Sequence, residues 1–138
     1  MKKIIIALMV SSLLFVATGC GCSKEPKEKE PTEEENQPIG NTNEGITKDQ
    51  QVGDLTMTNT TLITQDSTSV FTTTVTNSTE RDVVVDIVDI FIKDADGNEI
   101  ATLHGYVGGV VPAQSSREII SNCTIDLSNA AFVEYQLN

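Results

Sequence analysis

Val83-Val84-Val85-Asp86-Ile87-Val88-Asp89-Ile90-Phe91-Ile92-Lys93, followed by Asp94-Ala95-Asp96-Gly97-Asn98, decides the fold. The run is dominated by β-branched residues, which favour an extended, half-buried backbone. Val88, Ile90 and Ile92 alternate with Asp89, Phe91 and Lys93. Successive side chains of a strand point to opposite faces, so the aliphatic set is expected in a core and Asp89 and Lys93 in solvent. An Asp-Gly pair directly after such a run predicts a two-residue hairpin turn. Residues 100–107 then form the return strand.

The flanking sequence repeats this pattern at short intervals. Leu55-Thr56-Met57 alternates and predicts a first strand, which residues 60–64 continue or bend into a neighbour. Gln65-Asp66-Ser67 is a turn. Residues 70–76 predict a long strand with Phe71, Thr73 and Val75 on one face. Asn77-Ser78-Thr79-Glu80 is a turn. Beyond the central hairpin Gly108-Gly109 loosens the chain, and the segment from Val111-Pro112 to Ser116 turns it into a strand over 117–123. Residues 126–129 form a loop, and Val133, Tyr135 and Leu137 alternate in a closing strand. No long helical periodicity appears in this half of the chain. The expected fold is all-β: a small immunoglobulin-like antiparallel β-sandwich of six to seven strands over residues 53–138. The absence of tryptophan excludes the antibody-type cysteine–tryptophan pin. The many threonines suit the solvent faces of the strands. Residues 55–59 and 100–106, free of proline and charge, are the candidate open edges.

The run Phe71-Thr72-Thr73-Thr74-Val75-Thr76-Asn77, the strand Val88 to Asp94, the turn Asp96-Gly97-Asn98 and the Val111-Pro112 turn occur in the order of the FxLYD-type domains of bacterial lipoproteins, which this region resembles. The naming motif falls on residues 90–94, with Ile90 in place of its phenylalanine, Lys93 in place of its tyrosine, and Asp94 kept. The resemblance implies a small β-sandwich at a cell surface and carries over no catalytic residue.

The N-terminus has a different character. Met1-Lys2-Lys3 is basic, residues 4–17 are apolar but for Ser11 and Ser12, and Ala17-Thr18-Gly19-Cys20-Gly21-Cys22 follows. A basic start, an apolar run and small residues before a cut site make a secretory signal peptide. The run is shorter than the ~20 residues a spanning helix needs. Small residues ending in cysteine resemble the lipobox. That resemblance implies cleavage after Gly19 and a diacylglycerol thioether on Cys20, two acyl chains sufficing for stable anchoring. Cys22 is the other acceptor in reach; Cys20 is preferred because it lies nearer the apolar run. Residues 1–19 are thus the expected signal peptide, and 20–52 the lipidated, acidic, disordered tether. Four lysines and eight acids populate 20–52, and Ile39 and Ile46 are its only large aliphatics before Val52. Such a composition cannot offset the entropy of ordering.

The 138-residue chain has a formal net charge of −11. Without residues 1–19, which hold two lysines and no acids, it becomes −13. Such a chain repels nucleic acid and anionic lipid surfaces. Cys22 and Cys123 do not make a disulfide framework, and Cys123 reads as a small half-buried strand residue. Asp94 and Asp96 have the acid spacing that begins a calcium loop. However, positions six and twelve, which need glycine and glutamate, are Glu99 and Gly105. A cation site at Asp94 and Asp96 is therefore the lesser reading beside a hairpin. Asp86 and Asp89 have opposite parity and point apart unless a bulge intervenes. His104 is the only histidine and reads as a strand-edge residue, and no Gly-x-Ser-x-Gly elbow is present.

These readings converge on a non-catalytic lipoprotein without a cofactor. It would be held at the outer face of the bacterial plasma membrane by its lipid. A monomeric sandwich would serve as an interaction or accessory module for an envelope or extracellular protein. The rival expectation is an extracytoplasmic protein that binds a small ligand or a divalent cation.

Overall fold

A computed structural model describes residues 37–138; the expected signal peptide and the first part of the expected tether lie outside the described residues. In chain order the elements are β1 (Ile39–Gly40), α1 (Glu44–Thr47), β2 (Gln50–Val52), β3 (Leu55–Gln65), β4 (Thr68–Asn77), β5 (Val83–Lys93), β6 (Glu99–Val111), β7 (Ser115–Cys123) and β8 (Phe132–Leu137). They form two antiparallel sheets. One runs β3-β4-β7, with β1 and β2 lying one after the other along the far side of β3; the other runs β6-β5-β8. The chain makes a hairpin in each sheet and then returns one strand to each. This is an immunoglobulin-like β-sandwich. Its six long strands are those expected, and the two short ones come from the segment assigned to the tether.

The central strand follows its pattern. Val88, Ile90 and Ile92 are fully buried, while Asp89 and Lys93 lie on the opposite face. The core forms where these residues meet Leu55, Met57, Leu62, Phe71, Val75 and Ile119 of the other sheet. In the β3–β4 hairpin Asp66 and Ser67 both have positive φ, 49° and 61°, as a two-residue turn matched to strand twist demands. The β5–β6 turn differs from the expected two-residue Asp-Gly turn. Asp94 N–H donates to the Asn98 carbonyl, leaving three residues between, and only Gly97 takes a positive φ, 84°. This is the three-residue loop closed by a left-handed glycine.

Three register shifts also depart from the reading, one of them between Ile92 and Lys93 beside the hairpin loop. In β3, Asn59 adopts φ 52° and the register with β4 shifts between Thr58 and Thr61. The inward set therefore changes from Leu55 and Met57 to Thr60, Leu62 and Thr64. Thr60 and Thr64 are consequently buried rather than solvent-facing, and Thr73 is buried with Phe71 and Val75 as the alternation of β4 predicts. Thr60 and Thr73 share a hydroxyl hydrogen bond of 2.9 Å, and Thr60 also meets the Tyr135 hydroxyl at 3.2 Å. Thr64 meets Ser69 at 2.8 Å. Every such hydroxyl is satisfied, which removes the penalty of burying it. In β6, Gly108 and Gly109 do not end the strand. They take φ of 96° and 91° at a bulge in which Val107 and Gly108 oppose Asp86 alone, Gly109 pairs with Val85, and β6 continues to Val111.

The expected tether boundary at residue 53 is corrected. From residue 37 onward the chain belongs to the fold. Ile46 on α1 is fully buried in the core, and Asn43 caps α1 by accepting from Gly45 N–H at 3.0 Å. The Asn41 amide donates to the Ala130 carbonyl at 2.7 Å, and the Gln50 amide to the Val133 carbonyl at 3.1 Å. Scarce apolar content is offset here by one deeply buried side chain and by side-chain bonds to main chain far away in sequence. The same segment overturns the expectation that residues 55–59 form an open edge, because β2 pairs with Leu55, Thr56 and Met57.

Candidate interaction surface

The outer face of the β6-β5-β8 sheet brings together residues the sequence left apart. Register places Asp89 opposite His104, Ile87 opposite Tyr106 and Val84 opposite Val110. The Ser121 hydroxyl, on β7, donates to the His104 carbonyl at 2.6 Å. That carbonyl therefore points away from β5. In an antiparallel strand one residue's N–H and C=O point to the same side, and the side alternates along the chain. Thr102, His104 and Tyr106 thus direct their main-chain groups to the open edge of β6, while the residues between them bond β5. Outward-directed residues sit in the closer, non-hydrogen-bonded pairs, which brings their side chains together across the two strands.

The polar half of this face is built on Asp89. His104 Nδ1 lies 2.7 Å from Asp89 Oδ1, and the Asn138 amide donates to Oδ2 at 2.6 Å. The Asn138 carbonyl also accepts from Asp86 and Ile87 N–H, at 2.9 and 3.3 Å, where β5 bulges. Because of that bulge, Asp86 and Ile87 are both exposed. At the far end Lys93 donates to Glu134 at 2.6 Å. The His104 ring meets a carboxylate but no serine, since the Ser121 hydroxyl is spent on main chain. Sequence reasoning identified His104 as an edge residue and missed its pairing with Asp89. The loop between Asp94 and Asn98 would by itself set Asp89 opposite Leu103; a one-residue register shift between Ile92 and Lys93 brings it opposite His104 instead.

The other half is apolar. Val84 and Tyr106 are 83% and 73% exposed, and Ile87 and Val110 complete two cross-strand pairs in solvent beside the β6 bulge. Exposed apolar residues paired across strands mark a contact surface better than isolated ones do.

The cation candidate has a different geometry. Asp94 Oδ1 accepts from Asp96 N–H and Asn98 N–H, each at 2.9 Å, and Oδ2 accepts from the Asn98 amide at 3.1 Å. The Asn98 amide, more than any other contact, holds the Asp94 carboxyl below the usual carboxylate range. The carboxylate thus fastens its own loop, and Asp96 enters that arrangement through its main chain. Among the described residues no three His, Cys, Asp or Glu side chains are grouped to hold a metal ion. Cys123 is half-buried at the end of β7, its Sγ 3.9 Å from the Ile125 carbonyl oxygen. Cys20 and Cys22 lie outside the described residues. Comparison of the chain with protein-family models, curated proteins and solved structures found no match.

Proposed function

We propose that this chain is a lipoprotein anchored through Cys20 at the outer face of the bacterial plasma membrane, and that its sandwich acts without catalysis, by contact with an envelope or extracellular protein. The anchor rests on the order of basic, apolar and small residues that ends at Cys20. The observation that carries the contact reading is the pair of solvent-exposed apolar couples, Val84 with Val110 and Ile87 with Tyr106, beside the open edge of β6. Lipid labelling in cells tests the anchor: Cys20→Ala abolishes the label and Cys22→Ala retains it. A label retained in Cys20→Ala moves the anchor or removes it from the proposal. Photo-crosslinking groups placed singly over the domain in intact envelopes test the contact. A discrete protein adduct from at least one face is expected, and none from any face overturns the reading.

A further inference from the structure

We propose that the open edge of β6 takes up an extended, basic segment of the partner as an added antiparallel strand. This rests on the contact reading above and gives it a surface, a geometry and a partner chemistry. Thr102 and Tyr106 keep outward main-chain groups that no other described residue engages, and Ser121 occupies only part of the His104 carbonyl's capacity. Edge strands are commonly blocked by proline, lysine or a covering segment. Residues 100–107, ahead of the β6 bulge, contain neither residue type, and among the described residues no strand pairs with β6 on this side.

Charge selects the occupant. Asp82, Asp86, Asp89, Asp94, Asp96 and Glu99 lie on or beside the β5–β6 hairpin, while its basic residues are paired: Arg81 with Asp54, Lys93 with Glu134 and His104 with Asp89. A second copy of this chain, at net charge −11, would set these acids against their equivalents. A basic strand is attracted instead. Order along the edge selects its pattern. Glu99 begins β6, Asp89 lies opposite His104 at its middle, and Tyr106 and Val110 lie toward its end. An antiparallel partner meets the end first. Its alternate residues should therefore be apolar and then basic, reading from its N-terminus. Strand addition uses main-chain bonds for affinity and alternate side chains for specificity.

The test uses the full-length protein in detergent and three synthetic nonapeptides. In each, threonine alternates with two valines and two lysines in that order, with the same residues in reversed order, or with glutamates replacing the lysines. The first should bind and shift the amide resonances of Thr102, His104 and Tyr106, and the glutamate peptide should not. The reversed peptide should bind about tenfold more weakly. Thr102→Pro removes an outward N–H and should weaken the first peptide by a similar factor while the domain stays folded. N-methylating the peptide amides that face β6 should abolish binding, and N-methylating the others should not; this pair leaves the protein untouched should Thr102→Pro fail to fold. Failure of the first peptide to bind, equal binding of the glutamate peptide, indifference to amide methylation, or self-association through β6 overturns the proposal. A protein crosslink from another face in envelopes, with no peptide bound at β6, preserves the contact reading and removes this one.

Discussion

At the scale of single residues, buried polar groups fix the two sheets against each other. Asn77 is fully buried, and its amide donates to the carbonyls of Arg81, Val111 and Pro112 at 2.8, 2.9 and 3.1 Å. One side chain thereby closes the exit of β4 and the end of β6. Tyr135 plays a related part across the core. Its ring tilts against Phe71 at 6.3 Å, and its hydroxyl reaches Thr60. Burial pushes the Tyr135 hydroxyl above its usual range, against the opposing effect of hydrogen bonds from Thr60 and Thr73. The folded protein therefore keeps this proton where the unfolded chain, with its tyrosine near pH 10, begins to lose it. The stabilisation is complete below that pH and declines as pH rises toward the folded value. Tyr135→Phe should cost about 1 kcal/mol at neutral pH for the lost hydrogen bond. It should also flatten the fall in melting temperature above about pH 10. Parallel alkaline melting curves for the two proteins would refute this assignment.

At the scale of elements, alternation was the legible part of the sequence. It placed β5 to the residue, because a slip by one would turn Asp89 and Lys93 into the core. Ile90→Ala should accordingly cost about 2–5 kcal/mol in chemical denaturation, as large-to-small changes do in packed cores. Asp89→Ala, which loses only surface partners, should cost under about 1 kcal/mol. The reverse ranking would mean that the register is wrong. The bulges were not legible. Asn59 can enter the left-handed region, but nothing local requires it to, and the shift is imposed by pairing with β4. Gly105 is similar. A Cβ there would come within 2.4 Å of Ile119 Cγ2, so glycine is needed where β7 crosses close to β6. Such an approach belongs to the assembled sandwich and leaves no periodic trace. The Asp89–His104 pair was not legible either, since it depends on the register shift between Ile92 and Lys93 as well as on the length of the hairpin loop.

At the scale of the whole molecule, the two sides of the sandwich are finished differently. On the side of β6 and β7 no described strand pairs with the outer edges. On the other, residues 37–52 run along β3, with Ile39 and Gly40 against Thr64 and Ile63, and Gln50, Gln51 and Val52 against Met57, Thr56 and Leu55. Gln50 also caps the outer carbonyl of Val133 on β8. The composition of this segment argued for disorder because local hydrophobicity cannot register contacts made with residues more than 80 positions away, as Asn41 makes with Ala130 and Gln50 with Val133. If the segment is integral, a chain truncated to begin at Val52 loses the burial of Ile46, worth about 2–5 kcal/mol. For a domain of this size that corresponds to a melting temperature lower by on the order of 10–20 °C. Ile46→Ala in the full chain should reproduce most of the loss without removing the strand pairing. The truncated chain should also self-associate with rising concentration, because the bared edge of β3 offers unpaired main-chain groups that nothing else covers. Light scattering separates the two effects: Ile46→Ala should melt early yet stay monomeric, and truncation should do both. A truncated chain with unchanged melting temperature would return residues 37–52 to the tether and leave both sides of the sandwich equally open.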